Sequence, residues 1–585
     1  MKANKKHHLI ILIIVFFTST IQAAVYYVNE TTGNDTFTGN ESQPWQTIQK
    51  AANTLVAGDT VYIMAGTYMP SQKIEFLNSG TNGNYINYLA YPGDEHLVII
   101  DGGNVSLPNW YGVFTIISKN YIKIAGLKVI NSSYVGFYVD LSTNINIENN
   151  HTYQTLSSGI SVWDSDLVVV DGNDVSRACW PTGGEQECIS IVTSNRILVK
   201  NNHVYDGGSI GFGGGGEGID IKDGCTNSIV YNNHVHDIAS VGIYVDAYET
   251  DQSNVHVYKN TVYNIFGVGI SIGSEEGGSL ENVIVSNNTV SNCEDRALVV
   301  HWTNKPNYLI KNMYVQHNTF VDNGEGLDVG VHALGNNINI KNNIFSQNLV
   351  YQIQNSSVDL DPNELKVKNN VIDGPNPSWA LSGTDFVSGN PEFIDVSIRD
   401  YHLENNSPAI DQGAFLTTTT NAGTGTVIEL VDAGFFTNGY GIREGDIINI
   451  EGQTQQFEII ATDYLNKTIT LNETVTWTVG VGISLNYNDN TPDIGAFEFD
   501  ASLGLPSNRI GNLTIYPNPT DAVFYISDKY LNSDYQIVSL TGVMIKKGKI
   551  DTINIDVSDV RAGVYILKIF SQKVKERLIL KWIKK

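Results

Sequence analysis

The chain has 585 residues, room for roughly two to four domains. Its 35 lysines and arginines against 61 aspartates and glutamates leave a net charge of −26, which argues against nucleic acid as a partner, because an acidic surface repels a phosphate backbone. An anionic polymer suits this charge only where Lys, Arg or a divalent cation lines its site, and 42% hydrophobic against 16% charged residues, with 54 Gly and 30 Tyr, describe a folded, turn-rich β protein.

The chain opens on a secretory signal, predicted over residues 1–23. Lys2, Lys5 and Lys6 precede an apolar stretch, Leu9 to Phe17, and Ile21-Gln22-Ala23 supplies a cleavage site. That stretch is too short to span a bilayer, and no later apolar run is longer, so the mature chain is expected to be secreted or held at the outer surface without a transmembrane segment. Pro44 then precedes a helical segment with Ile48, Ala51, Ala52 and Leu55 on one face, a cap for the open apolar end of a solenoid. Gly58-Asp59 turns into a strand at Thr60.

Nine asparagines follow: Asn150, Asn173, Asn202, Asn233, Asn260, Asn288, Asn318, Asn343 and Asn370, 23 to 31 residues apart and mostly in phrases such as IENN, VKNN and VSNN. Strand-turn units of this size predict an all-β fold, a parallel β-helix in which each coil lies about 4.8 Å above the last and like residues stack. Stacked Asn amides can satisfy one another and the turn backbone along a column.

One strand column registers against this ladder. Its members begin at Gly159, Cys188, Gly218, Gly242, Gly269, Ala297 and Gly326, and read GISVW, CISIV, GIDIK, GIYVD, GISIG, ALVVH and GLDVG. The second and fourth residues are aliphatic and point inward; the third and fifth point outward and are expected to be exposed. Asp220, Lys222, Asp246 and His301 thus share one outer face, with Lys222 about 5 Å from Asp246 and Asp246 about 10 Å from His301. Gly273 leaves a notch between them, and Trp163 offers a flat surface for a sugar ring. The connections flanking this column lengthen around the same coils, bringing Glu185, Glu187 and Glu217 to its entrance and Tyr248, Glu249, Glu275, Glu276 and Trp302 to its exit. Long loops beside one column of a solenoid mark a binding face.

Other residues have plainer readings. Glu275 to Gly278 also fits a solvated turn, Lys222 with Asp246 a simple exposed ion pair, and Asp328 a surface residue beyond the long loops. His151, His203 and His234 each follow a ladder Asn and read as a structural stack, with His236 in a column beside Tyr153, Tyr205 and Tyr263. Cys179 and Cys188 are near enough in sequence to close a loop by a disulfide or to stay free; Cys225 and Cys293 complete the set, and no CxxC pair signals zinc.

Ser407 to Ala414 (SPAIDQGA) and Pro492 to Phe499 (PDIGAFEF) look like two halves of one closing phrase, split by an alternating Gly/Thr-rich segment, 414–491, that reads as a small inserted β-domain. Residues 24–413 are thus expected to form the β-helix with its cap, 492–505 a closing segment and linker, and 506–585 a separate module. That module carries LTIYPNP from Leu513, LTGVM from Leu540 and AGVYILKI from Ala562, then a basic tail.

The cap, the strand-turn repeats and the closing phrase resemble right-handed parallel β-helix proteins of the pectate-lyase-like superfamily, over about residues 24 to 410. The last module resembles the C-terminal sorting domain of type IX secretion, a small β-sandwich, which implies that secretion machinery as a partner. The superfamily contains lyases, hydrolases, epimerases and adhesins, so the fold leaves the chemistry open. A lyase reading implies β-elimination on a uronic-acid-containing polysaccharide. Lys222 is then the base, calcium is held by Asp220, Asp246, Glu217 and Glu275, and Arg296 holds the substrate carboxylate. A hydrolase reading pairs Asp220 with Asp246, about 8 Å apart by coil geometry and so within the ~6.5–9.5 Å of inverting enzymes, with Glu275 as another partner for Asp246. A glycan-binding adhesin would instead use the aromatic side chains Trp163, Tyr244, Tyr248 and Trp302. No lyase or hydrolase motif is matched residue by residue.

Overall fold

The computed structural model describes residues 23–180, 186–209, 215–302, 309–331, 335–357, 360–361, 363–375 and 386–499, and, of the C-terminal unit, 520, 522–526, 530–539, 544–561, 563–571 and 576–584. Residues 1–22 of the predicted signal peptide and Glu185 lie outside these residues.

Residues 25 to 388 wind into a right-handed parallel β-helix of three sheets. The first sheet has 13 strands, from Val25–Val28 to Leu365–Lys368. The second also has 13, from Gly66–Tyr68 to Phe386–Ser388, and the third has 11, from Ile74–Glu75 to Ile353–Asn355. Each coil visits them in that order. Inward Ile, Val and Leu from all three sheets fill one continuous core, as strands buried on the inner face require. The helix Ile48–Ala52 caps it as expected, N-capped by the Thr47 hydroxyl, with Ile48, Ala51, Ala52 and Leu55 buried.

The asparagine column is present in full. From Asn150 to Asn343, each ladder residue gives its backbone N–H and its side-chain Nδ2 to Oδ1 of the Asn one coil on, at 2.9–3.2 Å. The residue before each ladder Asn has φ between +50° and +66°, the left-handed conformation that turns the first sheet into the second. That is the physical reason for the NN phrases, since Asn tolerates this region better than other residues with a side chain.

Residues 417 to 485 form a six-stranded antiparallel sheet with its own apolar cluster. It packs on the outer face of the first sheet: Tyr314 donates to Asp432, and Lys341 Nζ donates to the carbonyls of Phe415 and Leu416. The two halves of the closing phrase meet, with Ile494 N–H on the Ala409 carbonyl and Asp411 N–H on the Asp493 carboxylate. Residues 500–585 form a second unit whose described strands make a two-stranded and a four-stranded antiparallel sheet.

All four cysteines are free and buried. Cys179 and Cys188 are therefore unbridged, and the Cys179 thiol donates to the Gln186 carbonyl at 2.9 Å.

Candidate active site

The third sheet aligns the expected column residue by residue. Ser161, Ser190, Asp220, Tyr244, Ser271, Val299 and Asp328 pair across seven coils, as do Trp163, Val192, Lys222, Asp246, Gly273, His301 and Gly330. The inward residues between them anchor the strands in the core, so the outward side chains sit on a rigid, evenly spaced frame.

The face is not exposed, contrary to expectation. Asp220 and Asp246 are only 2% and 3% exposed and Tyr244 6%, and the flanking residues Glu187 and Glu275 pack against this face. Glu187, one residue before the column, is 2% exposed and proves central. Lys222 Nζ lies 2.5 Å from Glu187 Oε1 and 3.8 Å from Asp220 Oδ2. Among the described residues these are its ion pairs; Asp246 acts on it only at longer range. Glu217 stands at the same end and accepts from the Ser240 hydroxyl at 3.1 Å.

A second group adjoins these. Tyr244 donates to Glu275 Oε1 at 2.7 Å. With its one proton spent there, its oxygen accepts from His301 Nε2 at 3.2 Å; Ser271 Oγ lies 3.1 Å from the same nitrogen. The notch at Gly273 is filled by the His301 ring: a Cβ on residue 273 would stand 2.5 Å from its Nε2. Glycine is needed so that the imidazole can lie flat against the strand. Tyr244 is thus a buried hydrogen-bonding residue rather than a stacking platform.

The electrostatics follow from packing so many acids around one cation. Burial raises Glu217 to about 7, with Glu187 adding to it. Burial, then the Glu275 charge, raises Asp246 to about 8, against the pull of Lys222. Asp220 is raised well above the usual carboxylate range by burial, with Lys222 opposing. Burial by itself would lower the Lys222 ammonium, but Asp220 and Glu187 outweigh it and carry the group above its ordinary value.

These donors also bear on calcium. Glu187 Oε2, Asp220 Oδ1 and Asp246 Oδ1 are buried and accept no hydrogen bond, which is the state of an oxygen suited to a hard cation. Among the described residues, the acids of this face do not themselves form a cluster of three or more metal-ligand groups.

The remaining expected residues lie at the edges or elsewhere. Trp163 is half-buried two coils from Lys222, its ring 5.3 Å from that of Trp110, a partly exposed aromatic that the repeat pattern did not reveal. Tyr248 is 39% exposed at the rim, beside the exposed Glu276, whereas Glu275 is turned inward. The Trp302 side chain lies outside the described residues. Arg296 is remote from the cleft: five strand residues, about 16 Å, separate it from His301, and its guanidinium is taken up by Asp295, Glu325 and Asp328. Asp328 is accordingly an ion-pair partner, not a free surface group.

A cavity of about 950 Å³ opens at the cap end of the same sheet, lined by Lys73, Glu75, Thr115, Ile117 and Lys119 among others. Thr115 and Ile117 belong to the same two outward rows as Asp220 and Lys222, several coils away.

The fold is a right-handed parallel β-helix, and three stretches of the chain match family models. Residues 26–179 match the family described as Pel9A-like, right handed beta helix region, and 182–314 match Right handed beta helix region. Residues 514–585 match the Secretion system C-terminal sorting domain. The protein is accordingly secreted or at the cell surface, and no described helix is long and apolar enough to cross a membrane. It is similar to Pectate lyase PEL9 of Emericella nidulans, 33% identical over 145 residues, which is 22% of this chain; the match spans about a third of that relative (35%). Among solved structures it is similar to pectate lyase Pel9A (15% identity, TM-score 0.44, 83% of this chain and 98% of that one). A rhamnogalacturonan lyase also resembles it (17% identity, TM-score 0.34, 60% and 87%).

Proposed function

We propose that the protein is a polysaccharide lyase that cleaves a uronic-acid-containing polymer, pectate or a relative of it, by β-elimination in the cleft of the third sheet. The observation that carries this reading is Lys222, the cation at the centre of the buried acids, on a chain related to a pectate lyase. In β-elimination a base removes the proton α to the sugar carboxylate, the bond from the β-carbon to the glycosidic oxygen breaks, and that oxygen takes up a proton. Lys222 Nζ is the base, oriented by Glu187 and Asp220. Its resting form is the ammonium, because the acids hold its pKa high, so its proton must leave before it can act; Glu187, 2.5 Å away, is placed to accept it. Tyr244, Glu275 and His301 form a hydrogen-bonded wall that can return a proton to the departing oxygen. Trp163, Trp110 and Tyr248 supply surfaces for neighbouring sugar rings.

Glu187, Asp220 and Asp246 would hold a calcium ion in pairs through their unpartnered oxygens, with Glu217 and Glu275 nearby. Calcium bound there would supply positive charge that binds the uronate carboxylate and offsets the acids, easing the loss of the Lys222 proton.

One observation favours a second reading. Asp246, raised to about 8, stays mostly protonated at neutral pH and Glu217, raised to about 7, about half so, as suits the general acid of an inverting glycoside hydrolase. Purified protein on a panel of uronate and neutral polysaccharides separates the readings. An unsaturated, ultraviolet-absorbing product supports the lyase, new reducing ends without it support the hydrolase, and binding without either supports a glycan-binding surface protein.

A further inference from the structure

The second sheet, a different face from the cleft, carries a histidine cluster that stacking alone does not explain. The column read as a histidine stack is interrupted by an aspartate: His151, Asp174, His203 and His234 pair in register, beside Tyr153, Ser176, Tyr205, His236 and Tyr263. His203, His234 and His236 each place one ring nitrogen so that all three lie within 4.8 Å of one another.

The hydrogen bonds fix which nitrogens face inward. His203 Nδ1 lies 3.3 Å from Asp174 Oδ2, and His236 Nδ1 lies 2.5 Å from Asp237 Oδ2. A carboxylate at Nδ1 holds the proton there and leaves a lone pair on Nε2. Yet the two Nε2 atoms face each other at 2.8 Å. Two lone pairs at that distance repel, so a positive charge belongs between them, either a proton or a metal ion. The His236 ring is held nearly parallel between Tyr205 and Tyr263, at 12° and 7°, so its aim is set by packing. His234 is exposed, with its ring 5.2 Å from those of His203 and Tyr263.

We propose that His203, His234 and His236 form a binding site for a divalent transition-metal ion of the zinc class. Three neutral imidazoles and a water make a zinc donor set, and a tetrahedral ion with Zn–N of ~2.0–2.1 Å needs nitrogens about 3.3 Å apart, so the His203–His236 pair would open by about 0.5 Å and the wider separations, up to 4.8 Å, would close by about 1.5 Å through rotation of the exposed His234 ring. Asp174 and Asp237 serve as the outer partners that orient such ligands. Arg399, whose guanidinium lies 3.8 Å over the Tyr263 ring, is the opposing charge that this pair of carboxylates must outweigh. His203 lies on one coil and His234 and His236 on the next, so the ion would staple consecutive coils.

The test is isothermal titration of the full chain, stripped with a chelator, with zinc chloride alone, alongside thermal melts. The expected result is saturable binding of one zinc at this site and a chelator-reversible rise in melting temperature, both lost in His203→Ala and His236→Ala. Asp237→Asn should weaken binding by about 10–100-fold, the usual effect of removing an outer partner. Cobalt substituted for zinc should show the absorption bands of a tetrahedral nitrogen-ligated ion. Asp246→Asn should bind zinc unchanged, which separates this site from the acidic cleft. His234→Ala, which removes an exposed ring, serves as the ligand deletion should the other two fail to fold. Absence of saturable zinc binding, or binding undiminished by the histidine substitutions, would overturn the proposal.

Discussion

Asp246→Asn should do two things that rarely go together: abolish activity and stabilise the fold. Asp246 is 3% exposed and its folded pKa is raised from 3.8 to about 8 by burial and by Glu275. A carboxyl with a raised folded pKa holds its proton in the folded state while the unfolded chain releases it. Its contribution to stability is therefore full below pH 4 and is lost as pH rises toward 8. The two pKa values lie about four units apart, of which roughly three are expressed at neutral pH, so the wild-type residue there costs the fold about 2–4 kcal/mol, which a neutral amide of the same shape does not. Asn also keeps an oxygen that can accept from the Glu275 backbone. The assay is a pair of denaturation series, one in mild acid and one near pH 8, for both proteins. The variant should match the wild type in acid and exceed it by about 3–5 kcal/mol near pH 8, while turnover falls steeply because a carboxylate assigned to the calcium ion is gone. A variant that is less stable at both pH values and still active would refute both the electrostatic reasoning and the placement of the site.

Three further outcomes follow from other parts of the molecule. Asn233→Ala removes hydrogen bonds to Asn202, Val199 and Asn260 from the middle of the ladder and leaves buried groups unpaired, so denaturation should show a loss of about 3–5 kcal/mol. The four cysteines should resist a thiol reagent in the native protein and all react in denaturant; a chain with only two reactive thiols would reinstate the Cys179–Cys188 bridge. Mass spectrometry of the exported protein should find a chain ending before the sorting domain, near Leu513, and a freely secreted form ending at Lys585 would count against its removal.

The fold was legible because a solenoid writes one local rule many times. Spacing of the ladder asparagines gave the coil length, and coil length with strand alternation gave the register of Asp220, Lys222, Asp246 and His301 without error. Burial was not legible, because it depends on how the connections fold over the sheet; a strand pattern marks an outward residue but not whether a loop covers it. Glu187 was underrated because it precedes the column by one residue, outside the repeat, yet its carboxylate reaches Lys222 one coil on. Arg296 misled because its charge suited the substrate, while its neighbours in space, Glu325 and Asp328, come from the next coil. The histidine cluster was hidden because His203 and His236 lie in different columns and meet across coils. The ring of Trp110 near Trp163 arises from a long connection that no repeat predicts.

The central claim is that Lys222 removes a proton from a uronate. The most direct measurement is the rate of unsaturated-product formation on uronate-containing polysaccharides, across pH, for the wild type and for Lys222→Ala. Because the acids hold the Lys222 pKa above its ordinary value, the free amine is scarce at neutral pH and its fraction grows about tenfold per pH unit, so the wild-type rate should climb through the alkaline range. Lys222→Ala should form no unsaturated product at any pH. A wild-type rate that instead declines above about pH 8, as Asp246 and Glu217 lose their protons, with substantial turnover left in Lys222→Ala, would contradict the lyase account and favour two-carboxylate hydrolysis.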